Sequence, residues 1–263
     1  PVSGFISIGS YEELTKAHEV YGFPMLLKTC TGGYDGKGNA VIKSAEDYKI
    51  AYETLGAGKL PLMVEEFVDF EKEVSVLVCQ STNGDVKVFP IAENVHKNSI
   101  LDETYVPANI SDASMEQAMD IAKKAVRVFD AYGMLCIELF VKRDGSVLVN
   151  ELAPRPHNSG HYTIEGCITS QYENHIRGIL GLPLGDTTLI KPTVMKNIIG
   201  STNGPANIQG LDKAYEYGNV KVHLYGKETV SVGRKMGHIT AVDDSIEEAT
   251  KKVRYAHEHL YFQ

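Results

Sequence analysis

The chain has 263 residues, 43% of them hydrophobic and 23% charged, which is enough to bury a core and excludes a low-complexity or disordered polypeptide. A net charge of -8 argues against a nucleic-acid surface, and no run approaches the roughly 20 apolar residues of a membrane span. The four cysteines, Cys30, Cys79, Cys136 and Cys167, lie far apart without a C-x-x-C pair, as expected of a reduced, cytoplasmic protein whose thiols fill core space.

The first helix is expected to start at Ser10, boxed by Glu13, and to stop at Gly22. Strands over 25–28 and 40–42 flank a glycine-rich loop, and a weaker helix covers 44–55. A strand over 62–66 follows Pro61. Strands over 73–80 and 86–91 flank Asn83-Gly84, a hairpin signal. A second helix is predicted from Ser114, with Gln117 completing its box, to Tyr132, where Gly133 ends it. Strands over 134–143 and 146–151 flank a second hairpin signal, Asp144-Gly145. Beyond Pro183-Leu184-Gly185-Asp186 the pattern becomes short strands, at 194–199, 214–217, 221–224 and 229–232, then a helix from Ser245 boxed by Glu248. Hairpins alternating with packing helices predict an α+β fold, not a doubly wound parallel sheet. The divisions expected are 1–66, 67–185 and 186–256. Glu258-His259-Leu260-Tyr261-Phe262-Gln263 resembles a tobacco etch virus protease site with one mismatch, and residues 257–263 are set aside as a tag remnant.

The second hairpin carries the sharpest inference. With Asp144-Gly145 as a two-residue turn, Arg143 pairs with Ser146, and counting outward sets Glu138 opposite Glu151. Directly opposed side chains share a face, with Cβ atoms about 4.5–5.5 Å apart, and like charges there repel. Glu138 sits inside the apolar run Met134–Phe140 and Glu151 follows Val147-Leu148-Val149-Asn150, which makes a solvent-facing pair the weaker alternative. A divalent cation would offset the repulsion, and carboxylate oxygens are what Mg²⁺ takes.

Thr29–Gly38 holds four glycines and Lys37 between two strands, a loop whose backbone N–H groups can approach phosphate. It is not a Walker A loop, because Gly38 follows Lys37 where Ser or Thr would stand. Lys28 finishes the apolar run before it. Glu65-Glu66-Phe67-Val68 ends another apolar strand and reads as an interlobe hinge, with Glu73 placed to hold ribose hydroxyls.

In this order the pieces resemble the ATP-grasp family, and Asn150-Glu151-Leu152-Ala153-Pro154-Arg155-Pro156-His157-Asn158-Ser159-Gly160-His161 narrows the resemblance to its 5-(carboxyamino)imidazole ribonucleotide synthetase branch. Gly33-Tyr34-Asp35-Gly36-Lys37-Gly38, Tyr225-Gly226-Lys227 and Gly233-Arg234-Lys235-Met236-Gly237-His238 match the same branch, so the resemblance runs from residue 1 to about 256. It implies a small and a large ATP-grasp lobe followed by a small, mostly-β C-terminal domain. It also implies carboxylation of aminoimidazole ribonucleotide by bicarbonate through carboxyphosphate, with ATP and Mg²⁺, Mn²⁺ being the alternative ion. By motif, Lys28, Lys37 and Asn150 serve ATP, Glu65 and Val68 frame adenine, and Glu73 holds the ribose. Glu138 and Glu151 bind the metal, while Tyr34 and Asp35 reach the imidazole. Arg155, His157 and Asn158 surround bicarbonate and the reacting amine, and Lys227 and Arg234 grip the substrate phosphate.

The chemistry suits those residue types. Arg155 can bind two oxygens of a planar oxyanion, Pro154 and Pro156 stiffen it, and His157 is either a proton carrier or a hydrogen-bonded structural histidine. A zinc site at His157 and His161 is disfavoured by Gly160 between them. Where many family members carry a metal-binding Asn, Ala153 stands here, as in the matched branch. The resemblance further implies an N-terminal domain before residue 1, and an isolated fragment is expected to be slow or inactive. A homodimer and fusion to a following carboxylase domain are partner arrangements it allows. The alternatives are a biotin carboxylase-like ligase, a formate-dependent transformylase, or a non-catalytic nucleotide-binding module.

Overall fold

The chain opens with a four-stranded antiparallel sheet made of β1 (Phe5–Ile8), β2 (Met25–Thr29), β3 (Asn39–Ile42) and β4 (Leu62–Glu66), ordered β1-β4-β2-β3. The computed structural model describes residues 1–32 and 38–263. Ser10 caps α1 (Tyr11–Lys16) by accepting from Glu13 N, and the Glu13 carboxylate returns to Gly9 N just before the cap, so both N–H groups are satisfied at the helix start. After α2 (His18–Tyr21) the chain turns at Gly22, whose φ of +69° suits glycine. A 3₁₀ turn boxed by Ser44 and Asp47 leads into α3 (Tyr48–Thr54). Strand alternation then sorts this lobe. Met25, Leu27 and Val64 point at Leu14 and Ala51 to form a core, while Leu26, Lys28, Met63 and Glu65 take the opposite face.

Residues 67–69 link this sheet to a larger one. Its strands are β5 (Phe70–Gln80), β6 (Val86–Val88), β7 (Ala92–Lys97), β8 (Ile100–Val106), β9 (Gly133–Lys142) and β10 (Val147–Ala153), with α4 (Asp112–Val128) across one face and α5 (Thr163–Gly166) and α6 (Gln171–Ile179) on the other. Next come β11 (Thr193–Ile199), β12 (Gly204–Pro205), β13 (Ile208–Gln209), α7 (Leu211–Ala214), β14 (Val220–Leu224), β15 (Thr229–Val230), β16 (Lys235–Val242), α8 (Ile246–His259) and β17 (Tyr261–Phe262). The main path of the large sheet runs β10-β9-β5-β7-β8-β11-β16-β14, with β6 beside β5. The pairings between its strands are antiparallel, so the expected α+β class holds.

Strand β5 is buried on both faces. Val74, Val76 and Val78 meet Ala118, Ala122 and Val126 of α4, whereas Leu77 and Cys79 meet Met134, Cys136 and Tyr162. Each fully buried aliphatic side chain contributes about 1.5–3 kcal/mol, so this double-faced sheet is the stable frame of the molecule. Three cysteines are buried as expected and Cys30 is exposed; burial pushes the Cys79 and Cys167 thiols up to about 12. Among the described residues no helix is long and apolar enough to cross a membrane.

Several local expectations are corrected. The N-cap of α4 is Ser111, whose hydroxyl accepts from Ser114 N at 3.1 Å; Ser114 instead donates to Gly145 O and ties the helix to the β9–β10 loop. The strand expected at 214–217 is not formed: Ala214 is the last residue of α7, packed in the core beside α8, and 215–217 are turn and bend. Residue 186 does fall between elements, yet the sheet continues across it: β11 pairs with β8 and carries β16 and β14. Residues 257–263, set aside above, include the last turn of α8 and strand β17, which pairs with β13.

Candidate active site

A cleft of about 480 Å³ lies between the two sheets. Its small-lobe wall is the non-core face of β2 and β4: Leu26, Lys28, Met63 and Glu65, joined by Cys30 and Gly32 at the start of the glycine loop. Its floor is one end of the large sheet. There the face that buries Leu77, Cys79, Met134 and Cys136 continues outward as Ser75 and Glu73 on β5, Glu138 and Phe140 on β9, and Asn94 and His96 on β7. Period-two alternation thus carries an apolar face into a polar one at the strand ends.

Glu138 does pair with Glu151, but by a different route from the one expected. The turn is a three-residue loop, Arg143-Asp144-Gly145, with Gly145 N donating to Lys142 O and Gly145 at φ +80°. That register pairs Val149 with Leu139 and would put Asn150 opposite Glu138. A β-bulge at Asn150 absorbs one residue and restores the Glu138–Glu151 pair. Asn150 still lines the cleft. Burial first, then the Glu151 charge, raise the Glu138 carboxyl to about 7, and the His96 charge opposes the rise. Two opposed carboxylates, one kept partly protonated for want of positive charge, fit a hard divalent cation. Among the described residues no group of three His, Cys, Asp or Glu forms a metal-holding cluster.

Lys28 forms an ion pair with Glu65 at 2.6 Å, and both line the cleft. Glu73 is engaged by His96, Nδ1 to Oε2 at 2.8 Å, within ion-pair distance. Burial lowers the His96 pKa, yet Glu73 more than offsets this and the net shift is upward. His96 escaped the sequence reading, because the β7–β8 hairpin turns at Asn98-Ser99, both at positive φ, with no glycine to mark it. Phe140, stacked on Phe70 with ring centroids 4.5 Å apart, also lines the cleft.

His157 and Asn158 reach the cleft from the segment after β10. Gln171, fully buried on α6, holds that segment: its Oε1 accepts from His157 N at 2.9 Å and its Nε2 donates to His157 O at 2.8 Å. Asn158 exchanges two hydrogen bonds with Asn197 of β11, at 2.9 and 2.7 Å. His157 Nε2 lies 3.6 Å from Glu138 Oε1, and burial, then Arg155, hold the imidazole neutral by lowering its pKa to about 3. Gly160 leaves no room for a side chain, since a Cβ would meet Leu77 Cδ2 at 2.3 Å and Gln171 Oε1 at 2.4 Å. Gly160→Ala is expected to displace the His157 turn and lower turnover at least ~10-fold for a shift of this size, with the melting temperature checked alongside. Full activity in that variant would disprove the tight packing.

The remaining predicted residues are placed differently. Arg155 is exposed, bonded to Pro156 O, and lies outside the cleft lining, as does Val68 in the linker. Lys227 Nζ donates to Lys235 O, and Arg234 donates to Thr229, so neither lines the cleft; Lys235 does, although its motif had been read through Arg234. Burial, then Arg234 and Lys235, lower the Lys227 pKa, which marks a cluster of positive charge at this edge. Tyr34, Asp35 and Lys37 lie outside the described residues.

A two-sheet clamp with a lysine on one wall and paired acids on the other is the arrangement of a nucleotide-dependent ligase, and the chain belongs to the ATP-grasp family: the ATP-grasp domain model matches residues 1–172. The model of the phosphoribosylaminoimidazole carboxylase C-terminal domain matches residues 193–252. The chain is 42% identical over 256 residues to the N5-carboxyaminoimidazole ribonucleotide synthase of Bacillus subtilis, covering 95% of this chain and 66% of that protein. It is 39% identical over 255 residues to the phosphoribosylaminoimidazole carboxylase of Schizosaccharomyces pombe, covering 94% of this chain and 46% of that one. A solved carboxyaminoimidazole synthase from Aspergillus clavatus, in complex with ADP and 5-aminoimidazole ribonucleotide, superposes with a TM-score of 0.89 at 36% identity, covering 98% of this chain and 68% of that one. The chain therefore spans about two thirds of the bacterial relative and less than half of the yeast one.

Proposed function

We propose that this chain carries the ATP-grasp and C-terminal parts of a ligase that carboxylates 5-aminoimidazole ribonucleotide with bicarbonate, through carboxyphosphate, to the N5-carboxyamino product, ADP and phosphate. The observation that carries the reading is the convergence of Lys28, Glu65, Glu73, Glu138, Glu151, His157 and Asn158 on one cleft, in a chain similar to proteins of that name. Lys28 is set to offset phosphate charge, and Glu65 and Val68 bracket the adenine end near the linker. Glu73 faces the ribose, with His96 holding its carboxylate. Glu138 and Glu151 would hold Mg²⁺, or Mn²⁺, which when bound supplies charge neutralisation to the transferring phosphoryl group.

His157 and Asn158 lie at the bicarbonate end, and Arg155 approaches from the exposed side. Tyr34 and Asp35 belong to the imidazole, Lys37 to the nucleotide, and Lys227 and Arg234 to the ribonucleotide phosphate, with Lys235 beside them. The lobes are taken as 1–66 and 67–185, followed by a C-terminal unit at 186–256. The same reading gives a cytoplasmic protein, in line with its four free cysteines, that assembles as a homodimer. It also includes a partner domain before or after the chain, in line with a relative named as bifunctional.

The test is ADP release by this chain from Mg·ATP and bicarbonate, with and without the ribonucleotide. Stimulation by the ribonucleotide supports the assignment. ATP turnover that formate or biotin stimulates instead would transfer the chain to another branch of the family.

A further inference from the structure

We propose that Ser159 and Ser75 are positioning residues that hold His157 as its Nε2–H tautomer, so that this histidine faces the cleft as a neutral hydrogen-bond donor. The case starts at Nδ1. Ser159 N donates to His157 Nδ1 at 3.4 Å, and a backbone N–H can only donate, so Nδ1 carries the lone pair. Ser159 Oγ lies 2.9 Å from the same nitrogen. The direction of that second bond is set by a buried chain behind it. Thr104 Oγ1 donates to Asn94 Oδ1 at 3.0 Å, Asn94 Nδ2 donates to Ser75 Oγ at 2.9 Å, and Ser75 Oγ donates to Ser159 Oγ at 2.8 Å. A hydroxyl has one proton, and Ser159, already accepting from Ser75, gives its own to His157 Nδ1 at 2.9 Å, the nearer and stronger acceptor of its two remaining neighbours, Cys136 Sγ lying 3.8 Å away.

Ser75, Ser159 and Thr104 are wholly buried and Asn94 is 6% exposed, so bulk water does not compete with these bonds. With two donors on Nδ1, the proton of the neutral ring sits on Nε2, which lies 3.6 Å from Glu138 Oε1 at the cleft. Ser75 interrupts an otherwise apolar stretch, Val74 to Cys79, which makes it the least expected residue of β5 without such a role. The chemical consequence rests on the reaction proposed above. An Nε2–H donor stabilises an oxyanion of bicarbonate or carboxyphosphate and does not accept a proton at that atom.

The experiment is long-range ¹H–¹⁵N correlation of the histidine rings in the ¹⁵N-labelled chain near neutral pH, with His157 assigned through His157→Gln. The wild-type ring is expected as Nε2–H, and Ser159→Ala and Ser75→Ala are each expected to give a mixture of tautomers. Ribonucleotide-stimulated kcat should fall about 10-fold in both, the size of one hydrogen bond, with the KM for ATP unchanged. A wild-type His157 found as Nδ1–H or as imidazolium overturns the proposal, even if neither variant folds. So does a pure Nε2–H ring in both folded variants. A chain without turnover still yields its spectrum, so that result counts against the reaction assignment and leaves the tautomer to be decided separately.

Discussion

Glu138→Gln is expected to stabilise the metal-free chain at pH 8 by about 1–3 kcal/mol while lowering ATP-dependent turnover by at least ~10²-fold. The stability arm follows from the raised carboxyl, which burial and then Glu151 lift from 4.5 to about 7. A raised acid folds best when protonated. Its contribution is therefore full below about 4.5, the unfolded value, and is lost as pH rises through about 7. Glutamine keeps the shape without the charge, so the gain appears at pH 8 and vanishes at pH 4. The activity arm follows from the loss of one of two opposed carboxylates. Urea midpoints at the two pH values, with Mg²⁺ titrated into both proteins, provide the check. Added Mg²⁺ should stabilise the wild type more than the variant through mass action. Equal midpoints of wild type and variant at pH 8 would show that Glu138 is not under strain from its neighbour.

Glu103→Ala is expected to destabilise the chain by about 1.5–3 kcal/mol, the usual effect of losing hydrogen bonds to a charged group, since Lys196 keeps Asp102 as a partner and Arg254 is half exposed. Glu103 is 3% exposed and sits at the centre of a network. Arg254 of α8 grips it with Nε and Nη2 at 2.9 and 2.7 Å, Tyr105 donates to it, and Lys196 of β11 lies 3.1 Å away while also reaching Asp102 at 2.7 Å. Burial pushes the Glu103 carboxyl up, but bonds from Arg254, Tyr105 and Lys196 outweigh it and hold the pKa at about 2. The contribution is therefore present above about 4.5 and lost as pH falls through 2. Denaturation of wild type and variant should differ most at neutral pH and converge in acid. A difference under 1 kcal/mol at pH 7 would mean that the network is neutral to stability. Because it ties β8, β11 and α8 together, its loss should loosen α8 first, which amide exchange in 246–259 would report.

The fold class and the family were legible because they rest on local signals. Capping side chains at Ser10 and Ser245, glycines at Gly22 and Gly145, and alternation along β5 and β9 act within a few residues of chain. Where local signals were ambiguous the reading slipped. Ser111 and Ser114 are both good caps, and only the bond from Ser114 to Gly145 O shows which one the helix uses. The segment at 214–217 has strand-like residues, but packing against α8 draws its start into a helical turn. The Glu138–Glu151 pair was reached through two register shifts that cancel, a three-residue loop and a bulge, so the right neighbours were found on the wrong count.

The sequence by itself determined the fold class, several helices and hairpin strands and the residue kinds that meet at the cleft, because these depend on periodicities of two and 3.6 and on turn chemistry, whereas β1, β7, β8, β16 and α6 went unread. Tertiary structure decided the partners. It placed His96 on Glu73, Asn197 on Asn158, Gln171 on the backbone of His157, and Lys235 in the cleft with Arg234 outside it. It also set the carboxyl of Glu138 and the imidazole of His157 to opposite ends of their ranges. Such pairings rest on contacts near 3 Å between elements far apart in the chain, 84 residues in the case of Ser75 and Ser159. Protonation in a buried site follows those distances and the lack of water, and neither is encoded in local spacing.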